Sequence, residues 1–300
     1  MTLKQLEAFY WAATCRNFLV AAERVHLSVS SLSKRIAELE VSLGVTLFDR
    51  SGRSAELTPQ GEQLLPRIRE LLHSAAALQQ STGQVAGLHG VCRVGVGELS
   101  GLTWLPRLVQ QLRERHPGLQ LEPQVDIGAV MAQRILDGKL DCAVIASAPL
   151  GGRLASEWVA DSTFVWVASP ALIARAGTDS PQKLMREHTL ISLPAGAGNN
   201  RLLEQWLARH STTVQHSLTC NSWSAVVSMV IDGLGFTFIP QQWAEALQRR
   251  GALTILKRGA TLAPLQYTVQ WRQDDTRPLI TEVRDIIRNV IEFTAPRALA

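Results

Sequence analysis

The chain contains 300 residues, of which 46% are hydrophobic and 19% are charged, a composition that fits one large folded domain or two smaller ones. It excludes a disordered chain and a peptide-sized scaffold. The formal net charge is +4, but residues 1–87 carry nine basic side chains against eight acidic ones. Charge alone therefore does not indicate nucleic-acid binding, and any such function must be read from sequence patterns.

Cysteine usage and hydropathy indicate the cellular compartment. Four cysteines are spread along the chain with no C-x-x-C pair and no spacing typical of a zinc site or a disulfide framework: Cys15, Cys92, Cys142 and Cys220. The N-terminal segment has charged side chains at positions 4, 7 and 16, so it lacks the apolar core of a signal peptide. No stretch reaches ~18 uncharged apolar residues. We therefore expect a cytoplasmic protein that does not enter a membrane and binds no metal.

Residues 18–39 give the sharpest local pattern, that of two helices joined by a tight turn. Ser28 is a natural N-cap for the second helix, and Leu27 and Leu32 are spaced as a hydrophobic staple around it. Leu32, Ile36 and Leu39 recur at helical spacing and should face a core. The pattern predicts a helix-turn-helix.

The face of the second helix opposite this apolar stripe is small, polar and nearly free of acid. It presents Ser30, Ser33, Lys34 and Ala37 at ~100° per residue. Such a face fits into a DNA major groove, where hydroxyls and lysine can meet base edges and phosphates. The alternative is an ordinary helical hairpin whose polar face contacts only solvent.

Residues 47–61 favour the DNA-binding interpretation, because they read as a strand, a turn and a second strand with Arg50 and Arg53 at the tip. Thr58 and Pro59 then begin another helix. A helix-turn-helix followed by a basic hairpin is a winged helix-turn-helix, which we assign to residues 1–60. The predicted DNA-binding residues lie on the second helix and on the wing: Ser28, Ser30, Ser31, Ser33, Lys34, Arg35, Arg50 and Arg53.

A long helix should follow, from residue 58 to about residue 84, and it would extend over ~40 Å. Its apolar positions step alternately by four and three residues, which is a heptad seam: Leu64, Ile68, Leu71, Ala75, Leu78 and Thr82. We predict a linker helix over residues 58–87 that pairs with a second copy of the chain through Leu64, Ile68, Leu71, Ala75 and Leu78. The alternative is a helix docked on its own domain.

From residue 90 onward, apolar strand-like runs alternate with helical stretches, which predicts an α/β region with a largely parallel sheet. The runs lie at 92–97, 121–125, 141–146, 164–168, 190–193, 235–240, 253–256 and 265–271, and a last helix covers about 279–293. A region of this length, 88–300, should divide into lobe I (about 88–160 and 268–300) and lobe II (about 161–267). A ligand would then lie in the cleft between the lobes.

The segment VGVGELSG, residues 94–101, contains G-x-G-x-x-x-G between a strand and a helix, and Asp126 follows at the end of the next strand. This resembles a dinucleotide fingerprint, so one alternative function is an NAD(P)-dependent oxidoreductase. A simpler use of the same geometry is to offer free N–H groups to a small anion. No other enzyme signature is present, and we expect no enzymatic activity and no cofactor. A third possibility is a soluble ligand-binding protein with a helical oligomerisation arm.

Several blocks in the same order resemble one protein family. They are A-A-E-R-V-H-L-S, L-S-K-R-I-A-E-L-E, L-G-V-T-L-F-D-R, L-T-P-Q-G and, near the other end, G-L-G-F-T-F-I-P (233–240). Together they resemble the LysR-type bacterial transcriptional regulators over the full length of the chain. Val29 and Ser30 depart from the family, which usually has Gln-Pro at the start of the recognition helix.

The resemblance implies a DNA-binding regulator with a periplasmic-binding-protein-like effector domain, a dimer with antiparallel linker helices, and commonly a tetramer. Double-stranded operator DNA, a small-molecule effector and RNA polymerase are the implied partners. The implied effector-binding residues follow successive strands of the two lobes: Ser100, Leu102, Thr103, Gly128, Ser147, Asn200, Arg201, Ser222 and Trp223. Hydroxyls, amides and an arginine near helix N-termini favour an anionic or carboxylated effector.

Overall fold

A computed structural model describes residues 1–15, 17–51, 55–81, 88–146, 152–257 and 261–294 of the protein. The predicted wing residue Arg53, the seam residue Thr82 and the predicted cleft residue Ser147 lie outside this described part of the chain.

The N-terminal unit is the predicted winged helix-turn-helix. Its elements are α1 (Leu3–Cys15), α2 (Phe18–Arg24), α3 (Val29–Leu43), β1 (Phe48–Asp49), β2 (Glu56–Leu57) and α4 (Pro59–Ser81), and β1 and β2 pair antiparallel as the wing. Ser28 caps α3 as expected, because its hydroxyl accepts a hydrogen bond from the Ser31 N–H at 3.2 Å. The helix ends at Gly44, whose φ of +68° is left-handed and suits a residue without Cβ. Leu32, Ile36 and Leu39 are fully buried, as the sequence predicts.

Helix α4 begins at the predicted Pro59, but its seam divides into two parts. Ile68 is only 5% exposed and packs in the core of the winged helix-turn-helix, with Leu64 partly buried beside it. Ala75 is half-buried. Leu71 and Leu78 are 44% and 68% exposed, unusual values for leucines. The first half of the predicted seam therefore docks on its own domain, and the second half presents apolar side chains to solvent.

The rest of the chain alternates strands and helices. In order, the elements are β3 (Gly90–Val96), α5 (Glu98–Thr103), α6 (Leu105–Arg115), β4 (Leu119–Val125), α7 (Gly128–Leu136), β5 (Cys142–Ile145), β6 (Leu154–Ser162), β7 (Phe164–Ala168), α8 (Pro170–Ala176), α9 (Pro181–Glu187), β8 (Leu190–Ser192), α10 (Asn200–Arg209), β9 (Ser217–Thr219), α11 (Trp223–Ile231), β10 (Phe236–Pro240), α12 (Gln241–Arg249), β11 (Thr254–Ile255), β12 (Leu265–Arg272) and α13 (Pro278–Val290).

Two sheets organise this region into the two predicted lobes. In lobe I the strand order is β4-β3-β5-β12-β6, and in lobe II it is β11-β7-β10-β8-β9. The expectation of a largely parallel sheet is confirmed, because four of the five strands in each sheet run in the same direction, and one strand runs against them: β12 in lobe I and β7 in lobe II. These two strands enter their sheets directly after the chain crosses from the other lobe, without a helical crossover within the sheet.

The chain crosses between the lobes at two points. Strand β6 stays in the lobe I sheet to Ser162, and β7 opens the lobe II sheet at Phe164. The return crossing ends at Leu265, the first residue of β12. The predicted divisions at 160/161 and 267/268 fall inside strands β6 and β12.

A buried ionic contact joins the winged helix-turn-helix to lobe I, and we call Arg24, Asp141 and Arg277 the domain junction. Asp141 immediately precedes β5, and its Oδ1 accepts hydrogen bonds from Arg24 Nη1 at 2.7 Å and Arg277 Nη2 at 2.6 Å. Its Oδ2 accepts from the backbone N–H of Arg93 at 2.7 Å. Both guanidinium groups also lie over the ring of Trp11, each 4.9 Å from its centroid. No local sequence pattern indicates this contact.

None of the helices in the described ranges is both long enough and apolar enough to cross a lipid bilayer.

Candidate functional site

The exposed surface of α3 carries the residues that the sequence assigned to DNA. Ser28, Ser30 and Ser31 are exposed and share hydroxyl contacts of 2.9 Å at the N-terminus of the helix. Lys34 is exposed one turn further along, and Ser33 is half-buried beside it. Free N–H groups, hydroxyls and an ammonium on one end of a helix are donors, which is what phosphate oxygens require.

Arg35 and Arg50 lie near acidic side chains. Arg35 is half-buried and close to Glu7 of α1, whose pKa is raised by burial and partly lowered again by Arg35. Arg50 Nη2 lies 3.8 Å from Glu40 Oε2. The other oxygen of Glu40 accepts from the N–H groups of Leu47 and Phe48, at 2.7 and 3.1 Å. Glu40 therefore fixes the start of the wing and orients Arg50.

A cavity of about 590 Å³ lies between the two lobes, a size that suits a small molecule. It opens at the carboxyl ends of the lobe I strands, where Glu98 follows β3, Ile127 follows β4 and Ala146 follows β5. Lobe II closes it with the loop before α10 and the N-terminus of α11. This is the place where open α/β sheets bind their ligands.

The structure brings together five of the predicted effector-binding residues around this cavity: Gly128, Asn200, Arg201, Ser222 and Trp223. It does not bring Ser100, Leu102 and Thr103 to the cavity lining. Ser100 is fully buried, and its hydroxyl has no hydrogen-bond partner among the described residues. Thr103 donates instead to the carbonyl oxygen of Leu99 at 2.7 Å. In the short helix α5, the first residue, Glu98, therefore faces the cleft, and the third residue, Ser100, does not.

That first residue, Glu98, makes a direct contact between the lobes. Its Oε1 accepts a hydrogen bond from the Ser222 hydroxyl at 3.0 Å, and its Oε2 accepts from the Trp223 N–H at 2.7 Å. Both donors lie at the N-terminus of α11, whose dipole favours a negative charge. The Trp223 ring packs between Phe164 and Trp243, with centroids 6.1 and 6.2 Å away. Sequence reasoning missed Glu98 because its donors are more than 120 residues away in the chain.

Further polar side chains face the same cavity. Asp126 is paired with Arg134 of α7 at 3.0 Å and accepts from the Ile127 N–H at 2.8 Å, so this acid has structural partners. Arg201 and Glu204 on α10 are exposed at the cavity, and Asn199 lies just before that helix. Asn199 is only 6% exposed, and its Oδ1 has no hydrogen-bond partner among the described residues.

The lobes approach each other closely at one edge of the cavity. A Cβ added to Gly198 of lobe II would lie 2.1 Å from the carbonyl oxygen of Ala146 in lobe I. Gly196 also faces lobe I, but a Cβ added there would lie 3.7 Å from Ile127 Cδ1, an ordinary van der Waals distance. Glycine at 198 therefore permits the lobes to close as far as they do.

Comparison with known proteins gives this architecture a family. Residues 3–62 match the "Bacterial regulatory helix-turn-helix protein, lysR family", and residues 86–292 match the "LysR substrate binding domain". The chain belongs to the LysR family of bacterial transcriptional regulators. The winged helix-turn-helix is thus the DNA-binding domain of a LysR-type regulator, and the two-lobed region is its effector-binding domain.

Full-length relatives agree with this assignment. The "Probable hydrogen peroxide-inducible genes activator" of Streptomyces viridosporus is 31% identical over 267 residues, covering 88% of this chain and 85% of the relative. The structure of ArgP from Mycobacterium tuberculosis superposes with a TM-score of 0.68 at 18% identity and 97% coverage of both chains. Full-length LysG from Corynebacterium glutamicum, with bound effector Arg, gives 0.63 at 16% identity, covering 97% and 98%. These two structures share the fold of this regulator.

The cysteines do not resemble a redox site. Cys15, Cys92 and Cys142 are buried, and Cys220 is partly buried. Burial raises the pKa of the Cys15, Cys92 and Cys142 thiols, which disfavours the reactive thiolate. Among the described residues, no group of His, Cys, Asp and Glu side chains is arranged to hold a metal ion.

Proposed function

We propose that this LysR-type regulator binds operator DNA with α3 in the major groove and the wing along the backbone. The DNA-contacting residues are those predicted from the sequence: Ser28, Ser30, Ser31, Ser33, Lys34, Arg35, Arg50 and Arg53. The observation that carries the proposal is the N-terminal half of α3, where Ser30 and Lys34 are exposed and no acidic residue occurs. Arg50 lies 3.8 Å from Glu40 at the start of the wing, within reach of a DNA backbone beside it.

The proposed division of the chain follows the predicted one, with DNA binding in 1–60, a linker helix in 58–87 and effector binding in 88–300. The effector is a small molecule held in the interlobe cavity by Gly128, Asn200, Arg201, Ser222 and Trp223, together with Glu98. A homodimer forms through α4, and a homotetramer would form through further contacts of the effector domains. The protein acts in the cytoplasm, and RNA polymerase is a further partner. Two-fold symmetry of the dimer requires an operator with two related half-sites.

The decisive experiment measures binding of the full-length protein to labelled DNA from upstream of its own gene, at several salt concentrations. We expect specific binding whose log K falls linearly with log salt. Lys34→Ala should weaken binding and reduce the slope by ~1, because one phosphate contact is lost. Lys183→Ala, an exposed lysine of lobe II, is the matched control and should change neither quantity.

Equal affinity and slope in wild type and Lys34→Ala would contradict the assignment of the α3 face. Absence of any DNA binding by the folded protein would favour the ligand-binding alternative. Turnover of a nicotinamide cofactor would favour the oxidoreductase alternative. The structure disfavours that alternative, because the Asp126 carboxylate, which would have to bind the ribose of the cofactor, is already paired with Arg134.

A further inference from the structure

The anion site that the sequence predicts in the cleft is occupied by the protein's own carboxylate. Glu98 takes the Ser222 hydroxyl and the Trp223 N–H, the two donors that the N-terminus of α11 directs into the cavity. An effector carboxylate that took these two donors would displace Glu98 and lie directly beside it. Two adjacent carboxylates repel each other, and a carboxylate that loses its hydrogen bonds in a protein cavity is destabilised.

The charged side chains of the cavity are also more acidic than basic. A carboxylate has about four lone-pair positions, and Glu98 uses two of them. Glu204 adds a second negative charge, Arg201 adds one positive charge, and Asp126 is neutralised by Arg134. The side chains that line the cavity therefore leave an excess of negative charge.

We propose that the effector cleft selects a small molecule with a protonated amine or guanidine group, which donates to Glu98. Glu98 is thus a specificity-determining residue, since it fills the anion position and supplies the counter-charge for a cation. This inference rests on the proposed function, namely that the interlobe cavity holds the effector. It replaces the anionic effector that the sequence favours.

The test is a calorimetric screen of the full-length protein with matched compounds. Straight-chain diamines and mono-guanidines of two to five carbons are compared with dicarboxylates of the same lengths. We expect at least one of the amines or guanidines to bind more tightly than its matched dicarboxylate. Glu98→Gln should weaken the binding of that compound at least about tenfold, which is the effect of losing a hydrogen bond to a charged group. Glu245→Gln on α12 removes the charge of a half-buried carboxylate outside the cleft and should change the affinity for that compound less than twofold. If no amine or guanidine exceeds its matched dicarboxylate, the proposal is wrong.

A second arm tests the occupied anion position without any knowledge of the effector. Sodium sulfate should raise the melting temperature of Glu98→Ala more than that of wild type at equal ionic strength, because the vacated Ser222 and Trp223 donors can bind the anion. An equal shift in both proteins would contradict the assignment. Operator binding by the same preparations distinguishes the failures: intact DNA binding with a failed screen overturns only this inference, whereas lost DNA binding by wild type overturns the proposed function.

Discussion

Asp141 is the carboxylate partner of the buried Arg24 guanidinium at the domain junction, and it shares the partly exposed Arg277 with Asp275. Burial raises its pKa, but the charges of Arg277 and Arg24 and the hydrogen bonds that it accepts outweigh burial, so the net shift is downward. Burial lowers the pKa of Arg24, and the attraction of Asp141 only partly compensates. Repulsion from Arg277 and Arg93 lowers the pKa of Arg24 further. All three groups are ionised near neutral pH.

Asp141→Asn should therefore be strongly destabilising. The amide keeps the shape of the side chain but leaves Arg24, whose side chain is 3% exposed, without its counter-charge. Removing one partner of a buried ion pair costs about 3–5 kcal/mol. Urea denaturation of the full-length protein measures the change. Asp285→Asn, which removes an exposed pair with Arg288, is the control and should change stability by less than about 1 kcal/mol.

The same carboxylate gives a pH signature. Because the pKa of Asp141 is lower in the folded protein than the value of about 3.9 in an unfolded chain, its stabilisation is complete above that value. It is lost as the pH falls further, through the folded pKa. The stability of wild type should thus fall more steeply below about pH 4 than that of Asp141→Asn, and parallel curves would remove Asp141 from this role.

At the scale of elements, α4 shows how one heptad pattern can serve two surfaces. Ile68 meets the core of its own domain, so a charge at this position would unfold the DNA-binding domain as well as any dimer. Leu71 and Leu78, exposed on the second half of the helix, are the positions that test pairing.

We expect Leu71→Glu combined with Leu78→Glu to raise the dimer dissociation constant by more than about tenfold, because two unpaired carboxylates would have to be desolvated in the interface. Sedimentation velocity measures the change. Gln63→Glu adds a charge at another exposed position of the same helix and should leave the dimer intact. A double variant that remains dimeric at the concentrations where wild type does would assign dimerisation to another surface.

Local sequence patterns predicted the elements whose signals are local. The cap at Ser28 and the apolar period of α3 lie within a few residues, and the apolar run 164–168 matches β7. Strand β6 was missed because its side chains do not form a clean apolar run: Trp158 is 58% exposed, and Glu157 is paired with Arg284 and Arg288. Its partner β12 lies about a hundred residues further along, beyond all of lobe II, so no nearby pattern marks the pairing.

At the scale of the whole molecule, the order of domains could be predicted because the resemblance covers both of them. The contacts that join distant parts could not. Asp141 meets Arg24 across 117 positions, and Glu98 meets Trp223 across 125. The rotation of α5 about its own axis decides whether Glu98 or Ser100 faces the cavity. That rotation depends on how the short helix packs under the cleft. Tertiary packing, which no single segment encodes, therefore determined the details of the site.

Strand β5 runs directly from the domain junction to the cavity, with Asp141 before its first residue and Ala146 after its last. This stretch of sheet is only ~17 Å long. We therefore expect any movement of the lobes at Ala146 to reach Asp141, and through it Arg24 of the DNA-binding domain, without an intervening loop. Thermodynamic reciprocity then requires that operator DNA change the affinity for the effector by the same factor by which the effector changes the affinity for DNA. Calorimetry should show that operator DNA changes the affinity for the effector, and the effector changes the affinity for DNA, by the same factor. In Asp141→Asn this factor should approach one. A factor of one in the wild-type protein would mean that β5 does not couple the two sites.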